Sequence, residues 1–344
     1  MKFDIGQRPY VIAEIGANHN GDMAIARHLV EAAKTAGADA VKFQSWDTTL
    51  FSKSVYEKNY FLGDDYRQRT DHTLKSIVEA FAISAEQLSM MRDLCHDVGI
   101  AFSSTPFSVA QLDHLVKLDV GYLKIASMDI NNLEFLRYAG ETKAPIVLSS
   151  GMADIDEVRR GVDTILATGN NRLVLLHCTS VYPTADDELN LRNITLFSRE
   201  FPGIVIGYSD HSLGLLAAPV AVGMGAALIE KHFTLDKTKP GFDNAMALTV
   251  DQLAELASAC RLSSAMLGSA DRVVSESEMK QRGVMRRSIF AARALKSGEV
   301  IDRESIQLKR PGTGLGPDAV AQVIGRSVSR DLEEGDPIEW DFLA

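Results

Sequence analysis

Eight short apolar runs recur along this chain, each closing on polar or ionisable residues, with helix signals in most of the gaps between them. The runs end at Glu14-Ile-Gly16, Lys42-Phe-Gln44, Ser103-Ser-Thr105, Lys124-Ile-Ala-Ser127, Ser149-Ser-Gly151, His177-Cys-Thr179, Ser209-Asp-His211 and His232. Short continuous apolar runs read as strands buried on both faces, and such strands lie parallel with helical crossovers between them. The crossovers include Asp22–Thr35, Ser84–Val98, Ser108–Leu118, Ile155–Ala167, Leu213–Gly225 and Val250–Leu267. Several open on good caps, such as Ser84 with Gln87, or Thr249 ahead of Asp251. Eight such units over about 270 residues make the size of an α/β (β/α)8 barrel. A doubly wound open sheet competes, but its glycine-rich dinucleotide fingerprint is absent after the first strand. Thr48–Ala82 is a long insertion after the second strand and reads as a lid or rim loop.

The texture changes after Gly268. A polar, charged stretch is followed by short β runs with glycine turns. We therefore expect a barrel over 1–268, a linker over 269–285 with room for a short helix, and a small β-rich domain over 286–344, which needs something to pack against. The net charge of −10 argues against a nucleic-acid or anionic-membrane binder but leaves room for a local cationic pocket. Cys95, Cys178 and Cys260 are widely spaced with no CxxC pair, which suits buried thiols in a reducing compartment. The N-terminal stretch lacks a signal-peptide core and no run approaches membrane-spanning length, so a cytoplasmic protein is expected.

Barrel active sites are built where strands end. The strand ends here present Glu14, Lys42, Gln44, Thr105, Lys124, Ser127, Ser149, Tyr182, Ser209, His211 and His232. A lone strand-end serine is commonly just a helix cap. Lys42 and Lys124 are different, because a lysine closing an apolar run is costly to bury without an anion. Two lysines and several hydroxyls on one mouth suit a phosphate or a carboxylate. Lys124 also fits a Schiff-base aldolase, and that alternative stays open. His211 and His232 end successive parallel strands, so their imidazoles can converge on one divalent metal. A strand-end histidine taken alone is more often a hydrogen-bonding residue.

Several motifs together resemble the sialic acid synthases. They are Ala13-Glu-Ile-Gly-Ala-Asn-His19, Val41-Lys-Phe-Gln44, Ser104-Thr-Pro-Phe-Ser108, Lys124-Ile-Ala-Ser127, Leu148-Ser-Ser-Gly-Met152, Tyr182-Pro-Thr184, Ser209-Asp-His-Ser-Leu-Gly214 and Glu230-Lys-His-Phe-Thr234. Lys309-Arg-Pro-Gly312, within Arg286–Leu343, resembles the antifreeze-like (SAF) domain that ends these enzymes. The resemblance implies condensation of phosphoenolpyruvate with an open-chain N-acylated hexosamine to give a nine-carbon 2-keto acid, with phosphate leaving by C–O cleavage. It implies that His211 and His232 hold a divalent metal, usually manganese, with magnesium or cobalt as substitutes, which polarises the sugar aldehyde. Lys42, Lys124, Ser127, Ser149 and Ser209 would cradle phosphoenolpyruvate, and Glu14 would orient the reacting groups and move a proton. Gln44, Thr105, Phe107, Asp129, Tyr182, Asp243 and Arg310 would contact the sugar. In that family the arginine matching Arg310 reaches into the partner subunit's barrel, so a domain-swapped homodimer is implied. Read alone, Arg310 is a solvated surface arginine.

Two departures bear on the acceptor. N-acetylneuraminate-forming members carry Glu where this chain has Asp129, and Asn where it has Ser180. Cys178-Thr-Ser180 and Lys124-Ile-Ala-Ser127 look closer to pseudaminic acid synthases, while Gly241-Phe-Asp-Asn-Ala-Met246 matches neither subgroup. The acceptor is left as N-acetylmannosamine, a diacetamido-trideoxyhexose or a related sugar. Other classes in view are the Lys124 aldolase, a sugar-phosphate synthase and a non-catalytic carbohydrate- or ice-binding protein. The last has no use for both lysines, both histidines and Glu14.

Overall fold

The computed structural model describes residues 5–6, 8–57, 73–239 and 242–344. Eight parallel strands form its first unit: β1 (Tyr10–Gly16), β2 (Ala40–Gln44), β3 (Ala101–Thr105), β4 (Leu123–Ile125), β5 (Ile146–Ser149), β6 (Leu173–Cys178), β7 (Val205–Asp210) and β8 (Leu228–His232). Hydrogen-bonded neighbours run β3-β2-β1-β8-β7-β6-β5-β4, which is chain order taken round a circle. A doubly wound sheet would reverse order midway, so this ordering excludes it. The β3–β4 seam is closed by fewer bonds: Gly121 N–H donates to Phe102 O at 3.3 Å, and the Ser103 hydroxyl to Tyr122 O at 2.7 Å. The result is a (β/α)8 barrel.

Helices α1 (Met23–Thr35), α2 (Lys53–Glu57), α3 (Leu74–Phe81), α4 (Ala85–Val98), α5 (Val109–Lys117), α6 (Leu133–Glu141), α7 (Ile155–Ala167), α8 (Arg192–Glu200), α9 (Ala217–Gly223) and α10 (Val250–Leu267) accompany the strands. Their starts are chemically marked. Ser84 and Gln87 form a reciprocal capping box at α4, and Asp22 caps α1 by accepting from Ala24 and Ile25. At α10, Thr249 is boxed with Gln252 rather than through Asp251. Apolar residues of strands and helices pack into one continuous shell that includes Val11, Leu29, Phe43, Leu112, Ile146, Ile229 and Leu256. The barrel interior below the mouth is filled by Tyr10, Ile12, Ala40, Tyr122, Val147, Leu176 and Leu228. The barrel floor is therefore a packed core, and polar chemistry is confined to the mouth. Of the expected lid over Thr48–Ala82, 58–72 lie outside the described residues, and the rest includes α2 and α3.

The chain divides into compact units at Met1–Gly268 and Ser269–Ala344. The second unit opens with α11 (Glu276–Met285), so the stretch expected as a linker is largely helical. It continues with an antiparallel pair, β9 (Ser288–Ala291) and β10 (Ile306–Lys309), and a short helix α12 (Val320–Val323). Its own small core includes Ile289, Leu295, Ile301, Val323, Val328 and Ile338.

Candidate active site

Strand register decides which polar groups meet at the mouth. Glu14 on β1 lies level with Lys42 on β2 and with His232 on β8. Ser209 on β7 lies level with Cys178 on β6 and with Glu230 on β8. These side chains line a cavity of about 500 Å³. Of the residues expected at the site, Gln44, Thr105, Phe107, Lys124, Ser127, Ser149, Tyr182, His211 and Asp243 line it too. Asp129 is not among the lining residues; it is half-buried and accepts from the Asn132 amide at 3.1 Å. Arg310 is exposed in the second unit, just after β10.

Two buried clusters organise the cavity. In the first, Lys42 Nζ lies 2.7 Å from Glu14 Oε2 and donates to Thr105 Oγ1 at 3.0 Å. Gln44 Nε2 donates to Glu14 Oε1 at 2.9 Å. The strand register shifts between Glu14 and Gly16, and the glycine leaves room for this bond: a Cβ on Gly16 would lie 3.1 Å from Glu14 Oε1 and 3.3 Å from Gln44 Nε2. Burial pushes the Glu14 carboxyl up to about 7, with Lys42 opposing and the Glu230 charge assisting. In the second cluster, Lys124 Nζ donates to Ser149 Oγ at 2.7 Å and lies 3.7 Å from Glu230 Oε1, which accepts from Ser209 Oγ at 3.1 Å. Burial lowers the pKa of Lys124, with Glu230 opposing. Glu230 is likewise desolvated, but Lys124 and Lys42 outweigh burial and hold its carboxyl below the usual range.

The two imidazoles complete the ring, with centroids 5.4 Å apart. His211 Nδ1 pairs with Thr179 O at 2.8 Å, which orients the ring and leaves Nε2 as its free nitrogen. Tyr182 packs on His211 at 4.2 Å between centroids. His232 Nδ1 is buried, makes no hydrogen bond and lies 3.6 Å from Asp243 Oδ2. Burial, reinforced by His211 and Lys42, holds His232 well below its usual pKa and keeps it a neutral nitrogen donor. Among the described residues, no group of three or more His, Cys, Asp and Glu side chains is placed to hold a metal. Burial lowers the His211 pKa, but Cys178 and the Thr179 carbonyl outweigh it and raise that pKa. The pair fits a metal as two nitrogen donors, His232 already neutral and His211 giving up its proton on binding, with substrate and water as the other ligands such a metal would take.

Four contributors escaped the sequence reading. Glu230 sits inside a motif read for its histidine, although a glutamate closing an apolar run is as informative as a lysine. Cys178 Sγ lies 3.8 Å from His211 Nδ1 and 3.6 Å from Ser127 Oγ, and looked like a small buried residue. Trp46 and Phe242 line the cavity from loops, where an aromatic residue carries no local signature.

Comparisons with known proteins identify the family. The NeuB family model matches residues 29–272, and the SAF domain model matches 286–344. An N,N'-diacetyllegionaminic acid synthase of Legionella pneumophila is 38% identical over 339 residues, spanning 97% of this chain and 94% of that protein. A pseudaminic acid synthase of Campylobacter jejuni is 32% identical over 342 residues, spanning 99% and 98%. The solved N-acetylneuraminic acid (sialic acid) synthetase of Leptospira borgpetersenii superposes with a TM-score of 0.69 at 30% identity, covering 80% of this chain and 91% of that one. This chain therefore belongs to the NeuB family, carries a C-terminal SAF domain and is an enzyme of the sialic acid synthase type.

Proposed function

We propose that the enzyme condenses phosphoenolpyruvate with an open-chain N-acylated hexosamine, giving a nonulosonic acid and phosphate. The observation that carries this reading is the pairing of two buried, carboxylate-anchored lysines with two imidazoles around one cavity. Lys42 and Lys124, with the hydroxyls of Ser127, Ser149 and Ser209, suit a small dianionic or trianionic substrate. C3 of phosphoenolpyruvate attacks the aldehyde carbon, water adds at C2, and the tetrahedral intermediate expels phosphate by breaking its C–O bond. The added water gives up two protons, one on addition and one as C2 becomes the ketone; the new alkoxide takes up one and the departing phosphate the other. Glu14, near neutrality in its pKa, takes the water's proton in this reading while Gln44 and Lys42 hold it in place. A divalent metal held by His211 and His232, most simply manganese, would supply Lewis-acid polarisation of the aldehyde oxygen.

Lys42 and Lys124 are the only Lys or Arg among the described residues lining the cavity. With both engaged at the phosphoenolpyruvate end, an unphosphorylated acceptor fits better than a sugar phosphate. N-acetylmannosamine and the diacetamido-trideoxyhexoses are the acceptors to test. Arg310 is proposed as a further acceptor contact, made from a partner copy in a domain-swapped homodimer. Phosphoenolpyruvate as substrate, and three free buried thiols, suit the cytoplasm. One observation favours a second reading, a Schiff-base aldolase: burial lowers the pKa of Lys124. The test is phosphate release that requires an acceptor, set against borohydride trapping with pyruvate. The condensation reading expects release and no adduct on Lys124; an adduct without release would replace it with the aldolase.

A further inference from the structure

We propose that Glu230 is a positioning residue that keeps Lys124 an ammonium ion, fit to hold an anion and unable to form an imine. This inference rests on the condensation reading above and concerns the phosphoenolpyruvate end of the cavity. The two buried lysines are anchored differently. Lys42 makes a close pair with Glu14 at 2.7 Å, whereas Glu230 Oε1 stands 3.7 Å from Lys124 Nζ, beyond hydrogen-bond length. Glu230 therefore acts on Lys124 through its charge. Ser209, level with it on β7, donates to the same Oε1 at 3.1 Å and holds that oxygen in place. Oε2 is buried and has no hydrogen-bond partner. A desolvated carboxylate with one oxygen unbonded is costly to keep unless a buried cation offsets it.

The surroundings of the lysine suit a cation. Its Nζ donates to Ser149 Oγ at 2.7 Å and to Ile125 O at 3.3 Å. The Ile125 carbonyl and the Glu230 carboxylate can only accept, so an ammonium with three protons fits, and a free amine with a lone pair to place does not. Charge faces Lys124 from four strands. Glu230 on β8 and, more weakly, Cys178 on β6 and Glu14 on β1 favour the cation, while Lys42 on β2 opposes it. Burial opposes it most strongly, and Glu230 is the largest of the effects that hold the proton on. Imine formation begins with attack of a neutral amine on a ketone, so the charge that anchors an anion also bars this nucleophile.

The experiment is the pH profile of kcat/KM for phosphoenolpyruvate, read by phosphate release at saturating acceptor, in wild type, Glu230→Gln and Glu230→Asp. This parameter falls as Lys124 loses its proton, and Glu230→Gln should move that alkaline limb down by about one to three pH units. Glu230→Asp keeps the charge and should restore most of the difference. A second measurement needs no turnover and guards against an inactive variant. Pyruvate and borohydride, applied above the shifted limb, should leave a reduced adduct on Lys124 of the Glu230→Gln protein. Nζ attacks the ketone carbon, water leaves as the C=N bond forms, and hydride from borohydride reduces that bond to a secondary amine. Wild type should give no adduct at the same pH. An alkaline limb that stays in place, a fall of equal size at every pH, or no adduct on Lys124 in the variant overturns the inference and leaves the condensation reading standing. Wild-type protein that forms the adduct and releases no phosphate overturns both.

Discussion

Burial and an ion pair pull the Glu14 carboxyl in opposite directions, and burial wins: its pKa rises from 4.5 to about 7 although Lys42 lies 2.7 Å away. The sign of the consequence is fixed. Glu14 is protonated below about 7, so a base-dependent rate climbs as pH rises through that value. Folding also makes this group bind a proton that the unfolded chain releases above 4.5, so on its own it weakens the fold as pH rises towards about 7. Glu14→Gln should lower kcat by about 10²- to 10⁴-fold and remove the rising limb from the pH profile of phosphate release. A variant that keeps the limb would show that another group supplies the base.

At the level of elements, the two histidine-bearing segments are tied together from behind. Asp210 and Lys231, each one residue before a histidine, form a 2.8 Å ion pair with both side chains 0% exposed. Ser212 joins them, donating to Asp210 Oδ1 at 2.7 Å and accepting from Lys231 Nζ at its carbonyl at 2.6 Å. Alternation along β7 and β8 then turns His211 and His232 to the cavity when Asp210 and Lys231 face away. Lys231→Met strands a buried carboxylate and should cost about 3–5 kcal/mol, lowering Tm by roughly 10 °C. A thermal melt with Tm unchanged would mean that the pair contributes nothing net. The strands were legible from sequence because parallel strands buried on both faces leave uninterrupted apolar runs, as in Val11–Ala13 and Leu173–Leu176. Helix α8 was not, because it opens on Leu191 with no side-chain cap. The register that sets Ser209 beside Glu230 is a property of the closed barrel and has no trace in either segment alone.

On the scale of the whole molecule, eight strands bring residues from position 14 to position 243 into one cavity, while Arg310 belongs to the second unit. The motifs made the lysines, serines and histidines legible. The apolar wall of Trp46, Phe107 and Phe242 became visible only once the loops were placed over the strands. Arg310→Ala should raise KM for the sugar about tenfold while leaving KM for phosphoenolpyruvate nearly unchanged, as loss of one charge-assisted hydrogen bond requires. Steady-state kinetics with each substrate varied in turn checks this, and the reverse pattern would remove Arg310 from the acceptor site.

The central claim is condensation with C–O cleavage in a cavity built for an anion and a metal-activated aldehyde. The most direct test uses phosphoenolpyruvate labelled with ¹⁸O at the bridging oxygen, manganese and the acceptor panel, before and after chelation. The account predicts acceptor-dependent release of phosphate that carries the label, abolished by the chelator and restored by manganese. Unlabelled phosphate, or release indifferent to the acceptor, would contradict it.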